Sequence, residues 1–215
     1  MKLRPIIYIG ILLSAACNRP AKPLRAGDLL FVVGGGSAMT EAIRAATASQ
    51  GALPYTHVGI VSEGADSVIE ATAPEGVRIV ALADFLDGAA PIDGGRCVVA
   101  KRLQLAEEAD GGAAIAREAA RQARRRLGAA YDLLYRAGDD RYYCSELVQE
   151  AYADAAGGPI FPSLAMRFRD DDGEMPSYWV ALFASFGEPI PEGEPGTNPA
   201  AMAEDERLQE VHRWF

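Results

Sequence analysis

The chain has 215 residues, of which 49% are hydrophobic and 24% charged, a balance typical of one folded domain with a sizeable core and not of a disordered protein. Its formal net charge is −9, so it offers no basic footprint for phosphates, and nucleic-acid binding is excluded. Two histidines and three scattered cysteines give no metal-ligand spacing, so neither a metal nor another cofactor is expected.

The first residues differ in character from the rest of the chain. Lys2 and Arg4 precede an apolar run from Ile6 to Leu13, and the small residues 14–16 follow it. A basic start, an apolar stretch too short to cross a bilayer and a small-residue end are typical of an export signal. Residues 1–16 are therefore predicted to be a signal peptide.

Cys17 directly follows the small residues, an order that resembles a bacterial lipoprotein signal. This order predicts that Cys17 is lipidated and becomes the mature N-terminus, so that a membrane is a partner. Residues 17–25 are then a lipidated tether, residues 26–200 the domain and residues 201–215 a C-terminal tail. The alternative is an ordinary secretory signal with an incidental cysteine. With either signal the domain is expected to be exported and to work outside the cytoplasm, and the lipoprotein signal predicts the bacterial cell envelope, with the domain facing the periplasm or the exterior.

The domain opens with a predicted strand and helix separated by glycines. Residues 27–33 are a turn followed by a continuous apolar, β-branched run, typical of a buried strand. Gly34-Gly35-Gly36 ends the strand, and Ser37 is a favoured N-cap for a helix that continues to about Ala48. The glycines lack the spacing of a nucleotide-binding loop, so we expect a turn beside a cleft.

Further strand patterns occupy residues 56–61, 67–72, 76–80 and 97–102. A short helix is predicted at 82–86, and the alanine- and arginine-rich residues 112–127 predict a long helix that ends at Gly128. The simplest interpretation is that the arginines form a solvent-exposed face of this helix. The alternative is that they bind anionic lipid headgroups. This order predicts an α+β domain whose antiparallel sheet has helices on either side of it in sequence.

Cys144 lies in the first turn of a predicted helix, within the stretch from Tyr142 to Tyr152. Unpaired backbone N–H groups and a partial positive charge at a helix start favour a thiolate. Because papain-like hydrolases use a thiol there with a histidine base, Cys144 is the candidate nucleophile. The alternatives are a core cysteine and a disulfide with Cys97, although Cys97 begins an apolar strand pattern and is expected to be a buried free thiol.

The candidate base is His57, in a predicted strand, whereas His212 is expected in a surface tail. With residues 63–66 as a hairpin loop, Gly59 lies opposite Glu70, so alternation places His57 and Glu70 on one face as diagonal neighbours. Gly59 is expected to leave space for the glutamate, whose carboxylate would orient the imidazole toward a thiol. A one-residue slip in register removes this arrangement. The alternatives are a strand histidine bonded to backbone and a solvent-facing glutamate.

Several motifs occur in an order that resembles a known family. They are Gly-Asp-Leu-Leu-Phe (27–31), Thr-His-Val-Gly-Ile-Val (56–61), Val-Ile-Glu-Ala (68–71), Gly-Val (76–77), Tyr-Tyr-Cys-Ser-Glu-Leu-Val (142–148) and Gly-Thr-Asn-Pro (196–199). Together they resemble the circularly permuted, NlpC/P60-type papain-like hydrolases of the YiiX/YaeF-like group, in which the histidine precedes the cysteine. The resemblance implies a permuted papain-like fold with a central antiparallel sheet packed against helices.

The resemblance also implies that Cys144 is the nucleophile, His57 the base and Glu70 the orienting residue. The expected function is that of a cell-envelope cysteine amidase or peptidase that forms a thioester intermediate. A cell-wall peptide or an N-acyl, lipid-like amide is the expected substrate. Lecithin:retinol acyltransferase-like enzymes share the permuted order, so acyl transfer or ester hydrolysis on lipids stays open, as does a catalytically silent, lipid-anchored binding module. Nothing in the sequence indicates the oligomeric state.

Overall fold

The computed structural model describes residues 22–92 and 95–215, so the predictions for the export signal and for Cys17 lie outside the described residues. The helices are α1 (Ala38–Thr47), α2 (Leu82–Asp87), α3 (Ala113–Arg125), α4 (Cys144–Ala156), α5 (Ser177–Phe186) and α6 (Pro199–Ala203). The strands are β1 (Leu29–Val32), β2 (His57–Val61), β3 (Ser67–Thr72), β4 (Gly76–Ala81), β5 (Pro91–Ile92), β6 (Gly95–Arg96), β7 (Val98–Leu103), β8 (Leu164–Ala165), β9 (Pro195–Gly196) and β10 (Leu208–Arg213).

Six strands form the main sheet in the order β10-β7-β1-β2-β3-β4, and each neighbouring pair is antiparallel. Helices α3 and α4 pack on one face over the larger apolar core, and α2 covers part of the other face. The predicted α+β class is therefore confirmed. Within the described ranges, no helix has both the length and the apolar character needed to cross a membrane.

Strand β1 is buried on both faces of the sheet, which explains its unbroken apolar sequence. Leu29 and Phe31 point into the core beneath α3 and α4. Leu30 and Val32 point into the smaller core, where Phe85 of α2 also lies. Successive side chains of a strand alternate between its two faces, so a strand covered on both sides needs apolar residues at every position.

The helix boundaries follow from local capping and side-chain size. Ser37 caps α1 as predicted, because its hydroxyl accepts a hydrogen bond from the Thr40 N–H at 3.0 Å. Helix α3 ends three residues before Gly128, which adopts φ +88° in the following turn. The buried face of α3 consists of alanines, which allow it to pack against α4: Ala116, Ala119, Ala120 and Ala123.

Residues 201–215 are not a tail, and this prediction is corrected. Residues 208–213 form β10, which pairs with β7 as an edge strand of the main sheet. The pairing shifts between Glu210 and His212, so Leu208 and Val211 are both buried although they are three residues apart. This bulge breaks the two-residue alternation by which a half-buried strand is recognised in a sequence.

Candidate active site

Helix α4 begins at Cys144, so the cysteine lies in its first turn as predicted, and this turn is held by side chains of the neighbouring residues. The Glu146 carboxyl accepts a hydrogen bond from the Tyr143 N–H at 3.4 Å. The Tyr143 hydroxyl in turn accepts one from the Thr197 N–H at 3.1 Å. The start of the helix is therefore tied to the Gly-Thr-Asn-Pro segment, and the sulfur occupies a fixed place.

Glu146 is 3% exposed, two residues beyond the candidate nucleophile. Burial, together with the nearby carboxyls of Asp132 and Glu150, raises the pKa of Glu146 to about 9. The side chain is therefore neutral at pH 7. A neutral carboxyl leaves the positive end of the α4 dipole without an opposing charge near Cys144.

His57 and Glu70 are joined by a hydrogen bond across the β2–β3 hairpin. The register pairs Ile60 with Ile69 and Val61 with Val68, which is the predicted alignment. His57 Nε2 lies 2.6 Å from Glu70 Oε2, so the two side chains share one face of the sheet as expected. With Nε2 held by the carboxylate, Nδ1 is the ring nitrogen left for a partner.

Gly59 has a different role from the one predicted. A side chain at this position would meet Val68 Cγ1 at 2.5 Å and the Phe85 ring at 3.0 Å, so the space belongs to these residues and not to Glu70. The His57 ring lies 5.8 Å from the Phe85 ring, centroid to centroid. Gly59 thus makes room for the ring against which the imidazole packs.

Arg78 is a member of the site that the sequence interpretation missed. It lies opposite Glu70 in the β3–β4 register, and its Nε donates to Glu70 Oε1 at 3.0 Å. Burial raises the pKa of Glu70, but the hydrogen bond from His57 and the charges of His57 and Arg78 outweigh it, and the pKa is lowered. Counting outward from a hairpin loop, as was done for β2 and β3, pairs position 70 with position 78 when the next loop is centred on Pro74. The sequence therefore contained the signal needed to find Arg78.

The charge on His57 is determined by the same neighbours. Burial lowers the pKa of the imidazole, but hydrogen bonding and charge interaction with Cys144 and Glu70 together raise it to about 10. His57 therefore carries a proton at neutral pH, next to a sulfur and a carboxylate. Such an imidazolium can stabilise a thiolate and can give its proton to a departing amine.

Two cavities meet at Cys144, which is itself 5% exposed. One is an open groove of about 290 Å³ whose walls include His57, Glu70 and Arg78. The other is a small, mainly apolar pocket of about 50 Å³ that is formed partly by Tyr135. Cys144 therefore borders both cavities, and of the two only the groove is lined by His57.

The pocket wall includes a loop that carries two tyrosines beside Cys144. Asp132 is 1% exposed, and its carboxylate accepts a hydrogen bond from the Leu134 N–H at 2.8 Å. This bond holds the loop in place, so that the flanking Tyr131 and Tyr135 line the pocket next to the sulfur. The loop has no regular periodicity, and no signal in the sequence identified it.

The other cysteine and histidine of the described residues lie elsewhere. Cys97 and Cys144 are both free thiols, so the alternative of a disulfide between them is wrong. Cys97 is fully buried, as predicted. His212 is in β10 opposite Ala100, and its ring contacts Trp214 with 4.2 Å between centroids.

Residues 23–212 match the family model of the permuted papain-like amidase enzymes, the YaeF/YiiX or C92 family. The chain belongs to this family. The uncharacterized protein YiiX of Escherichia coli K12 is 28% identical over 189 residues, which cover 86% of this chain and 84% of that protein. The family model also identifies this chain as a cysteine amidase or peptidase of papain-like type, with a substrate still to be determined.

A solved structure shows the same fold. The metalloprotein yiiX from Escherichia coli O157:H7 superimposes with a TM-score of 0.69 at 24% identity, over 90% of this chain and 99% of that one. The predicted permuted papain-like fold is thus confirmed. Within residues 22–92 and 95–215, no group of three or more histidine, cysteine, aspartate or glutamate side chains is arranged to hold a metal ion.

Proposed function

We propose that this protein is a cell-envelope amidase in which Cys144 is the nucleophile, His57 the acid and base, and Glu70 the residue that orients His57. The observation that carries the proposal is the 2.6 Å hydrogen bond between His57 and Glu70, in a groove that also contains Cys144. A thiol, an imidazole and an orienting carboxylate are the groups that papain-like acyl transfer requires.

The reaction proceeds in two halves. The Cys144 thiolate attacks the carbonyl carbon of the substrate amide, a C–S bond forms, and the carbonyl electrons move onto oxygen. The Cys144 backbone N–H, at the start of α4, helps to hold this oxyanion. His57 then gives its proton to the leaving nitrogen as the C–N bond breaks. In the second half His57 takes a proton from water and the hydroxide attacks the thioester carbonyl. The C–S bond then breaks, which releases the acid and restores the Cys144 thiolate beside a protonated His57.

The orientation of the substrate follows from the position of the imidazole. A group that protonates the leaving nitrogen must lie within hydrogen-bond reach of it. His57 lines the groove and is not part of the pocket wall. The amine half of the substrate therefore lies in the groove, and the acyl half extends toward the pocket. Cell-wall peptide amides and N-acyl amides both have this two-part form.

Labelling with iodoacetamide tests the proposed nucleophile. The protein is treated at neutral pH, and labelled sites are located by mass spectrometry. Cys144 should react faster than Cys97, and His57→Ala should slow the labelling of Cys144 alone. An unreactive Cys144, or one whose rate does not depend on His57, would contradict the proposed dyad.

The envelope location rests on the N-terminal sequence, in which Cys17 follows an apolar run and small residues. The full-length chain should accumulate in the membrane fraction of a bacterial cell as a mature protein whose N-terminal peptide carries a lipid mass. Cys17→Ala should remove that mass and release the protein from the fraction. A mature protein that begins after Cys17, without lipid, would refute the anchor.

A further inference from the structure

The outer face of helix α3 carries a row of arginines. The alanines of this helix pack inward against α4, so the remaining positions point to solvent. The helix contains four arginines and one glutamate, a formal charge of +3 in a chain whose net charge is −9. The arginines are all exposed and are three or four residues apart, which places them on one face: Arg117, Arg121, Arg124 and Arg125.

This arrangement does not favour the stability of the helix. Arg117 and Arg121, and likewise Arg121 and Arg125, are like charges four residues apart, which destabilise a helix. Among the residues that the structure describes, Arg117 and Arg124 form no ion pair. The ion pairs of this face are those of Arg121 with Glu63 at 2.8 Å and with Glu118 at 3.3 Å, and that of Arg125 with Glu118 at 3.8 Å. An external anion would therefore relieve repulsion on this face.

The first residues of the domain add two cations at the start of α3. Lys22 and Arg25 line a cavity of about 230 Å³ together with Asp110 and Ala113. The Asp110 carboxylate accepts hydrogen bonds from two backbone N–H groups, at 2.8 and 3.0 Å. Within residues 22–92 and 95–215, neither Lys22 nor Arg25 is paired with a carboxylate. Ala113 lies one helical turn before Arg117, so the cavity adjoins the row of arginines.

The chain that precedes Lys22 limits how far this side of the domain can lie from an anchor. Residues 18–27 contain three cations, Arg19, Lys22 and Arg25, and no acid. The Lys22 N–H donates to the Val211 carbonyl at 3.1 Å, which holds this residue against the sheet. Five residue steps separate it from Cys17, a span of at most about 17 Å. A lipid on Cys17 would therefore keep this side of the domain next to the headgroups.

Anionic lipid headgroups are the partner that fits this charge. Each lysine or arginine near an anionic membrane surface strengthens binding by about fivefold. Arg117 and Arg125 are eight residues apart, a rise of about 12 Å along the helix, so a helix lying flat on the membrane brings the whole row close to the headgroups. The exposed acids Glu107 and Glu108, in the loop before α3, oppose this attraction, so several cations are needed to hold the surface.

We propose that the outer face of α3 and the first residues of the domain form one basic surface, which binds the anionic headgroups of the membrane to which Cys17 is attached. The inference rests on the envelope location in the proposed function, and it adds which side of the domain faces the lipid. The basic surface consists of Lys22, Arg25, Arg117, Arg121, Arg124 and Arg125.

Sedimentation with vesicles measures this surface apart from the lipid anchor. The chain from residue 17 onward, with Cys17→Ala, has no lipid and keeps every described residue. It is mixed with vesicles of phosphatidylcholine alone or with about 30% phosphatidylglycerol. At about 0.1 M salt it should bind the anionic vesicles at least about tenfold more tightly, and most of this preference should disappear at about 0.5 M salt. Equal or weaker binding to the anionic vesicles, or a preference that salt does not change, would overturn the proposal.

Paired variants locate the binding surface. Arg117→Gln combined with Arg124→Gln removes two charges from the outer face of α3, and Lys22→Gln combined with Arg25→Gln removes two from the start of the domain. Each pair should lower binding to the anionic vesicles by about tenfold or more. A pair that leaves the binding unchanged would contradict a single surface made of both parts.

The control pair removes the same charge elsewhere. Arg136 and Arg169 are exposed, and they follow Tyr135 and Phe168, which pack against Trp179 of α5. Arg136→Gln combined with Arg169→Gln should lower the binding by about twofold at most. An equal loss in this control would mean that only net charge matters and would overturn the proposal. If a variant fails to fold, the comparison of the two kinds of vesicle still decides.

The outcomes separate this proposal from the anchor and from the amidase. A preference for anionic vesicles, together with a mature protein that carries no lipid, would refute the anchor and leave the basic surface intact. A lipidated protein without that preference would refute the basic surface alone. Retention on heparin without binding to vesicles would assign the arginines to another polyanion and overturn the proposal. None of these measurements depends on cleavage of a substrate.

Discussion

The two regions that contain a cysteine and a histidine show how the same side chains acquire different properties. Cys97 and His212 lie at the β7–β10 side of the sheet, and Cys144 and His57 at the start of α4 and of β2. Cys97 is 0% exposed, and burial raises the pKa of its thiol, which keeps it neutral and unreactive. Residue type alone therefore does not create a reactive site.

The Cys144 region differs in three respects. Its sulfur borders two cavities, its histidine is held by a carboxylate at 2.6 Å, and that carboxylate is held in turn by Arg78. The Cys97 thiol is fully buried and borders neither of these cavities. Placement at a helix start, next to an open groove and near a histidine that is hydrogen-bonded to an acid, is what distinguishes a candidate nucleophile from a core residue.

The largest expected effect comes from removing the sulfur. Cys144→Ala should lower the rate of 4-nitroaniline release from an acyl 4-nitroanilide by about 10⁴-fold or more, because no nucleophile remains to form the thioester. Cys97→Ala is the matched control and should keep the rate within about twofold, because its sulfur is not part of the site. Native rates in the Cys144→Ala variant would end the enzyme hypothesis.

The histidines should differ in the same way. His57→Ala should reduce kcat/KM by about 10²- to 10⁴-fold, the contribution of a positioned general acid and base. His212→Ala should have little effect, since this residue contacts Trp214 and not the groove. Similar losses in both variants would show that the effect of His57 is structural.

Glu70→Gln should have a smaller effect than either of these changes. A hydrogen bond to a charged group contributes about 1.5–3 kcal/mol, which corresponds to a loss of about 10- to 100-fold in kcat/KM. Glu75→Gln is a control, because Glu75 also contacts Arg78, at 3.9 Å, but lies outside the His57 hydrogen bond. A collapse as deep as that of the Cys144 variant would assign Glu70 a structural role.

The smallest effect is expected from Arg78→Gln, and it should appear in the pH profile. His57 and Arg78 together hold the pKa of Glu70 below its ordinary value, so the loss of Arg78 should raise that pKa. Glu70 then takes up a proton at a higher pH, and kcat/KM should begin to fall at a correspondingly higher pH on the acid side. Arg78→Lys should restore most of the native profile. An equal loss at every pH would mean that Arg78 does not act through Glu70.

The sequence was sufficient to predict the parts of the site that depend on local pattern. The helix that begins at Cys144 follows from its apolar periodicity, and the contact between His57 and Glu70 follows from alternation and loop length. The family resemblance then indicated which of these residues is the nucleophile and which is the base. Two short-range signals, a helix start and a hairpin, thus gave the positions of all three candidate residues.

The small pocket beside Cys144 could not be predicted, because its residues come from segments without periodicity. Tyr135 lies in an irregular loop, and Trp179 is on α5, whose sequence is apolar on every face and so does not indicate which residue faces the pocket. The edge strand β10 was missed because its bulge disrupts alternation. In each case tertiary packing, and not local pattern, determines the position.

The most direct test of the account is the pKa of His57, measured by NMR titration of the imidazole signals. The chain has only two histidines, so a His212→Ala variant assigns both signals. The account predicts a His57 pKa raised to about 10, and a lower value in Cys144→Ala, because the sulfur is one of the groups that raise it. A value near 6.5 that is the same with and without the sulfur would contradict the claim that Cys144, His57 and Glu70 form one unit.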